Sequence, residues 1–110
     1  MAQFSKTVRG QFANATAVLL AASSTATRYV RSVHVTNNSA SPVTWNLAFA
    51  ATATSAGPGV FAEALAANTR AAPIYFGGKK ERLDNVAISG FASAATAVTF
   101  EIIYDEVDIT

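Results

Sequence analysis

At 110 residues without a single cysteine, the chain has the size of one domain, and disulfides, thiolate nucleophiles and sulfur-ligated metals are excluded together. Charged residues make up 14% and the net charge is +1, too few cations to gather the basic face that a nucleic-acid binder needs. The longest strongly apolar run, "AVLLAA" at 17–22, is far below the ~18 residues that cross a bilayer.

Residues 1–15 read as an amino-terminal arm or a first strand, with "FSKTVR" at 4–9 as its extended part. Residues 16–110 read as one β-domain. "AVLLAA" follows Lys6 and Arg9 as a secretory signal would, but its three large apolar side chains make a poor apolar region, and a short strand explains it better. In "TRYVRSVHVTN", 27–37, Val33 and Val35 alternate with Ser32, His34 and Thr36, the period of a half-buried strand. Tyr29 shares the inward parity and Arg31 breaks it, so either a bulge lies near Val30 or Arg31 sits at a rim. After "NNSAS", Val43, Trp45, Leu47 and Phe49 alternate with Thr44, Asn46 and Ala48, and the two segments are expected to pair as a hairpin. Residues 50–59 read as a loop closed by Gly-Pro-Gly.

"VFAEALAAN", 60–68, fits either a strand or an alanine-rich helix; its shortness and its place directly after the turn favour the strand. "APIYF", 72–76, is expected to be a buried strand and "GGKK" a turn. Residues 82–90 and 95–106 are expected to form a second hairpin, in which Val98, Phe100, Ile102 and Tyr104 repeat the two-faced ribbon of 43–49. Seven or eight short strands at regular spacing predict an all-β fold, a single antiparallel sandwich of jelly-roll type, with the two ribbons facing each other across the core.

Little in the chain is equipped for chemistry. His34 is the one histidine, and it falls on an outward strand position without a nucleophile-elbow pattern. A serine hydrolase therefore stands only as a distant rival. One histidine and no cysteine make no zinc site, and "DEVD", 105–108, lacks calcium-loop spacing; no cofactor or metal is expected. "FGGKKER" fails as a phosphate loop, because Lys80 stands where Ser or Thr would ligate magnesium. Lys79, Lys80 and Arg82 nevertheless form the densest cationic cluster, suited to an acidic partner surface. Lys6, Arg9, Arg28 and Arg31 are the only charges before Glu63, and Glu101, Asp105, Glu106 and Asp108 crowd the last ten residues. That polarity suits attraction between unlike ends, within one chain or between neighbours.

The stretch "VRSVHVTNNSASPVTWNLAF", 30–49, with "ALAANT" at 64–69 and "VAISGFASAATAVTFEIIYDEV" at 86–107, resembles segments of small tailed-bacteriophage virion proteins. The resemblance implies a non-enzymatic structural component of the virion, assembled in the host cytoplasm. The type implied is a capsid decoration or minor head protein in multiple copies, or otherwise a tail or baseplate accessory protein. Its partners would be copies of itself and a major capsid or tail protein, with neither nucleic acid nor membrane involved. A receptor- or glycan-binding sandwich is the rival from another class. Phe4, Lys6, Arg9, Lys79, Lys80 and Arg82 are the candidate partner-binding residues. Deleting residues 1–12 is expected to leave the sandwich folded and to abolish assembly.

Overall fold

The computed structural model describes residues 3–50, 60–76, 81–83, 85–94 and 97–108. Among these residues nine strands run in chain order: β1 (Gln3–Gln11), β2 (Ala17–Leu20), β3 (Ala26–Asn37), β4 (Val43–Ala48), β5 (Val60–Leu65), β6 (Ile74–Tyr75), β7 (Glu81–Leu83), β8 (Ile88–Ala92) and β9 (Val98–Asp108). Two antiparallel sheets result. Sheet A has the order β1-β9-β3-β6, with β7 also on β3, and sheet B has the order β2-β8-β4-β5. The early strands alternate between the sheets, and each sheet interleaves strands from both ends of the chain. That is the connectivity of a jelly roll, the architecture expected from the strand spacing.

The same topology corrects the pairing of neighbours. Residues 27–37 and 43–49 form no hairpin, for β3 pairs with β9, β6 and β7 while β4 pairs with β5 and β8. Residues 82–90 and 95–106 form none either: they contain β7 and β8, which lie in different sheets, and β8 pairs with β2 and β4 rather than β9. Strand periodicity fixes which face a residue takes, not which strand lies beside it. What turns the chain from one sheet to the other after β3 is Asn37, which is fully buried. Its amide donates to the carbonyls of Ser41 (2.9 Å) and Ala66 (3.0 Å), and its Oδ1 accepts from Ser39 N (2.9 Å) and Oγ (2.8 Å). The five-residue connection is thereby pinned to the end of β5 instead of folding back on β3.

The two ribbons do face each other. Trp45 and Leu47 of sheet B and Phe100 and Ile102 of sheet A are buried, and Phe12 joins them, its ring 6.2 Å from Trp45 and 5.3 Å from Phe100. Val30, Val33, Val35, Ile88 and Val98 complete the seam. Burying an aliphatic side chain of this size contributes about 1.5–3 kcal/mol, so this line of β-branched and aromatic residues carries the fold in place of disulfides.

A bulge resolves the parity break in β3. Val30 lies opposite Tyr104 and Ser32 opposite Ile103, so Arg31 is the extra residue. Val30 and Val33 consequently both point inward, and Tyr29 falls on the outer face between Asp105 and Arg82 rather than on the inner one. The bulge also divides the far edge of β3 between β6 and β7. Residues 72–76 are not a buried strand: β6 covers two residues, and Tyr75 is 69% exposed. Residues 60–65 are a strand, closed by a turn in which Asn68 takes φ 53°. The expected loop at 50–59, apart from Ala50, and the "GGKK" turn lie outside the described residues.

Candidate assembly surface

Charge is distributed by face. Cross-strand partners share a face, so the outer face of sheet A carries Arg9, Glu101 and His34, with Asp105 and Tyr29 further along. All four amino-terminal cations meet carboxylates of β9. Arg9 Nε lies 2.8 Å from Glu101 Oε2, Arg28 Nε 3.3 Å from Glu106 Oε1 and Arg31 Nη1 3.8 Å from Asp105 Oδ1, and Lys6 Nζ is in contact with Glu106 Oε2. The attraction between unlike ends is thus satisfied within one chain. Asp105 and Glu106 point to opposite faces of β9, so the acidic run at 105–108 cannot close around one cation.

The hydrogen bond from Lys6 holds the Glu106 carboxyl below the usual carboxylate range, more than partial burial raises it, and the same bond raises Lys6. Arg28 is nearly buried beside them, its guanidinium 5.9 Å from the Tyr104 ring centre and donating to the Ala21 carbonyl.

Outward positions on sheet B differ sharply. Val18, Thr44, Asn46, Ala48, Ala62, Ala64, Ser89 and Phe91 share that face, and no described strand residue on it is charged. Asn46, Ala48 and Ser89 are buried and Phe91 is half-buried, so its exposed part is Val18, Thr44, Ala62 and Ala64. A sheet face of small and uncharged side chains can be removed from water without leaving an unpaired charge behind.

The candidate residues from the sequence are not one patch. Phe4, Lys6 and Arg9 lie on β1, which is no loose arm: it pairs with β9 from Gln3↔Val107 to Gln11↔Thr99. Phe4 shares the inner face with Val8 yet is 48% exposed, because sheet A's long strands of 9–12 residues outrun the 4–6 residues of sheet B. Arg82 lies in β7, three strands from β1 along the row Ser5, Asp105, Tyr29, Arg82, roughly 14 Å at the usual strand spacing. Lys79 and Lys80 lie outside the described residues. The alternation of 43–49 leaves any water-facing or partner-facing side to Thr44, Asn46 and Ala48, and these do lie on the outer face of sheet B, where Thr44 is exposed and the other two are buried. Sequence reasoning missed the part that β5 adds, Ala62 and Ala64, whose signal was the alternation of small with large residues in 60–65.

Two recesses accompany these faces. An open groove of about 490 Å³ runs over sheet A between Arg9, Gln11, His34, Thr36, Arg70 and Glu101. There His34 Nε2 lies 3.1 Å from Ser32 Oγ, and its ring meets the edge of Tyr75 at 5.9 Å. Ser32 is only 5% exposed, so its hydroxyl offers no approach to a substrate carbonyl. A smaller recess of about 290 Å³ opens between the sheets at Trp45, Phe61, Glu63 and Ile74. Beside it Phe49, Phe61 and Phe76 cluster with ring centres 5.8–6.2 Å apart.

No family model and no curated relative matches the sequence. Among solved structures, the chain is similar to a subunit of the Bacillus endospore appendages, described as a family of disulfide-linked pili. The TM-score is 0.52 and the identity 12%, over 99% of this chain and 88% of that one. The coat protein of tobacco streak virus is a weaker match, at TM-score 0.48 and 13% identity over 93% of this chain and 84% of that one. At such identity the likeness to the appendage subunit is one of fold. A disulfide link like the one named for the appendages cannot form through these 110 residues, which hold no cysteine.

Proposed function

We propose that this chain is a non-enzymatic structural protein that works by assembling in several copies, as a component of a tailed-bacteriophage virion. A capsid decoration or minor head protein, put together in the host cytoplasm, fits best. One observation carries the reading: the four cations of β1 and β3 are paired with carboxylates of β9, while the exposed outer positions of sheet B, Val18, Thr44, Ala62 and Ala64, are uncharged. Such a face gains by contact with a like face or with a neighbouring shell protein, and needs no cofactor. The sequence resemblance to small phage virion proteins points the same way. Ala64→Glu should leave the melting temperature nearly unchanged and abolish assembly by light scattering, and a charged variant that assembles normally overturns the role of that face. Imaging of the particle that contains the chain separates head from tail or baseplate.

A glycan-binding role is the second reading, favoured by Tyr75, whose exposed ring stands beside His34 next to the sheet A groove. A glycan array tests it: saccharide binding abolished by Tyr75→Ala supports it, and an array without hits removes it.

A further inference from the structure

We propose that two copies of this chain pair through the edge of β1 that no described strand joins, fusing their A sheets into one continuous sheet across a two-fold axis at Thr7. The inference rests on the self-assembly reading above and names one of its contacts. It follows from where the backbone of β1 points. Phe12 N donates to Val98 O at 2.8 Å, at the end of the β1–β9 register. In an antiparallel ladder the hydrogen-bonding direction alternates with each residue. Even-numbered residues of β1 therefore address β9, and Ser5, Thr7 and Arg9 direct N–H and C=O away from it. The neighbouring ladder keeps the same phase, since Asn38 N donates to Ala97 O and odd residues of β9 serve β3.

Edges of this kind are ordinarily blunted by shortness, bulges, proline or projecting charge. Three of the other edge strands are blunted: β2 has four residues and a register shift, and β6 and β7 have two and three. β1 runs nine residues with an unbroken register and no proline. Its two cations do not guard the edge, for Arg9 is drawn back to Glu101 and Lys6 to Glu106 on β9.

A second copy is the occupant because β1 complements itself. Its outward groups sit on odd residues, so an antiparallel mate must oppose odd to odd, and full overlap of residues 3–11 places Thr7 opposite Thr7. Ser5 then faces Arg9, Lys6 faces Val8, and Phe4 faces Gly10 of the second copy. No like charges oppose each other, and the half-exposed Phe4 ring gains a neighbour with no side chain of its own. The contact is isologous and closes as a dimer.

Thr7→Pro removes an N–H that points away from β9, so the monomer keeps its ladder while the centre of the proposed one is lost. The wild-type chain is expected to dimerise in sedimentation experiments, and Thr7→Pro to weaken the dimer on the order of a hundredfold with an unchanged circular dichroism spectrum. Spin labels on Thr7→Cys should lie within about 15 Å in the dimer, since facing Cα atoms of a hydrogen-bonded pair are about 5.5 Å apart. If Thr7→Pro fails to fold, the label distance alone decides. Undiminished association with distant labels overturns the β1 contact and leaves assembly through sheet B standing. A short distance seen only after a different protein is added overturns it too. A wild-type chain that stays monomeric at every concentration overturns both this contact and the self-assembly reading.

Discussion

Gly90 sits where β8 crosses the core and has no room for a side chain. A Cβ there would lie 2.5 Å from the Phe12 ring and 2.7 Å from the Asn46 carbonyl oxygen. Backbone cannot retreat as a flexible side chain can, so Gly90→Ala is expected to lose about 1–3 kcal/mol in urea denaturation. Asn37→Ala should cost a similar amount, about 1–3 kcal/mol, because it strips a partner from the buried carbonyl of Leu65 and another from the part-buried carbonyl of Ala66. A melting temperature unchanged in either variant would contradict these assignments. Glu106 makes stability depend on pH. Its folded pKa is depressed below the unfolded value of about 4.3, so its contribution is present above that pH and disappears as pH falls through the folded value. Glu106→Gln should therefore melt below wild type at pH 7 and converge with it toward pH 2, as thermal melts across that range would record.

Among the elements, β1 changes its meaning most between sequence and structure. Lys6 and Arg9 near the start suggest an arm reaching for a neighbour, whereas they are held by Glu106 and Glu101 of the last strand. Deleting residues 1–12 removes an edge strand together with Phe12, which is 1% exposed between Trp45 and Phe100. Loss of an aromatic of this kind alone costs about 3–5 kcal/mol. The truncated chain is thus expected to be unfolded by circular dichroism, the reverse of what the arm reading implies. The faces of β4 and β9 were legible because alternation with period two survives in any sheet. The bulge in β3 was legible as one of two explanations, a bulge near Val30 or Arg31 at a rim, since Arg31 interrupts an otherwise regular strand. Strand partners were not legible, because a five-residue connection suits a hairpin as well as a crossing between sheets. The two-residue β6 was over-read for the same kind of reason: apolar character cannot tell a buried strand from an edge whose tyrosine faces water.

At the scale of the molecule, sequence and structure agree on a cysteine-free jelly roll held by one apolar seam, and part company on how charge is used. Uneven charge along the chain becomes even charge across sheet A once β1 and β3 flank β9. The assembly face proposed above is consequently the uncharged one, and contacts made through it should persist in strong salt. Association measured by sedimentation should change less than tenfold between about 0.1 and 1 M NaCl, where a charge-driven contact would weaken far more.

The interleaving of the two chain ends governs how the fold can be reached. β9 is an interior strand of sheet A and follows every other described strand in the chain, and among the described strands β4 with β5 is the one ladder between successive ones. Non-local closure of this sort is slow, because chain entropy must be surrendered before contacts compensate it. A nascent chain halted before residue 98 lacks the strand with which β1 and β3 both pair, and with it the Val98, Phe100 and Ile102 part of the seam. Such ribosome-bound chains should be cut rapidly by protease and become resistant only after the eleven-residue β9 has emerged.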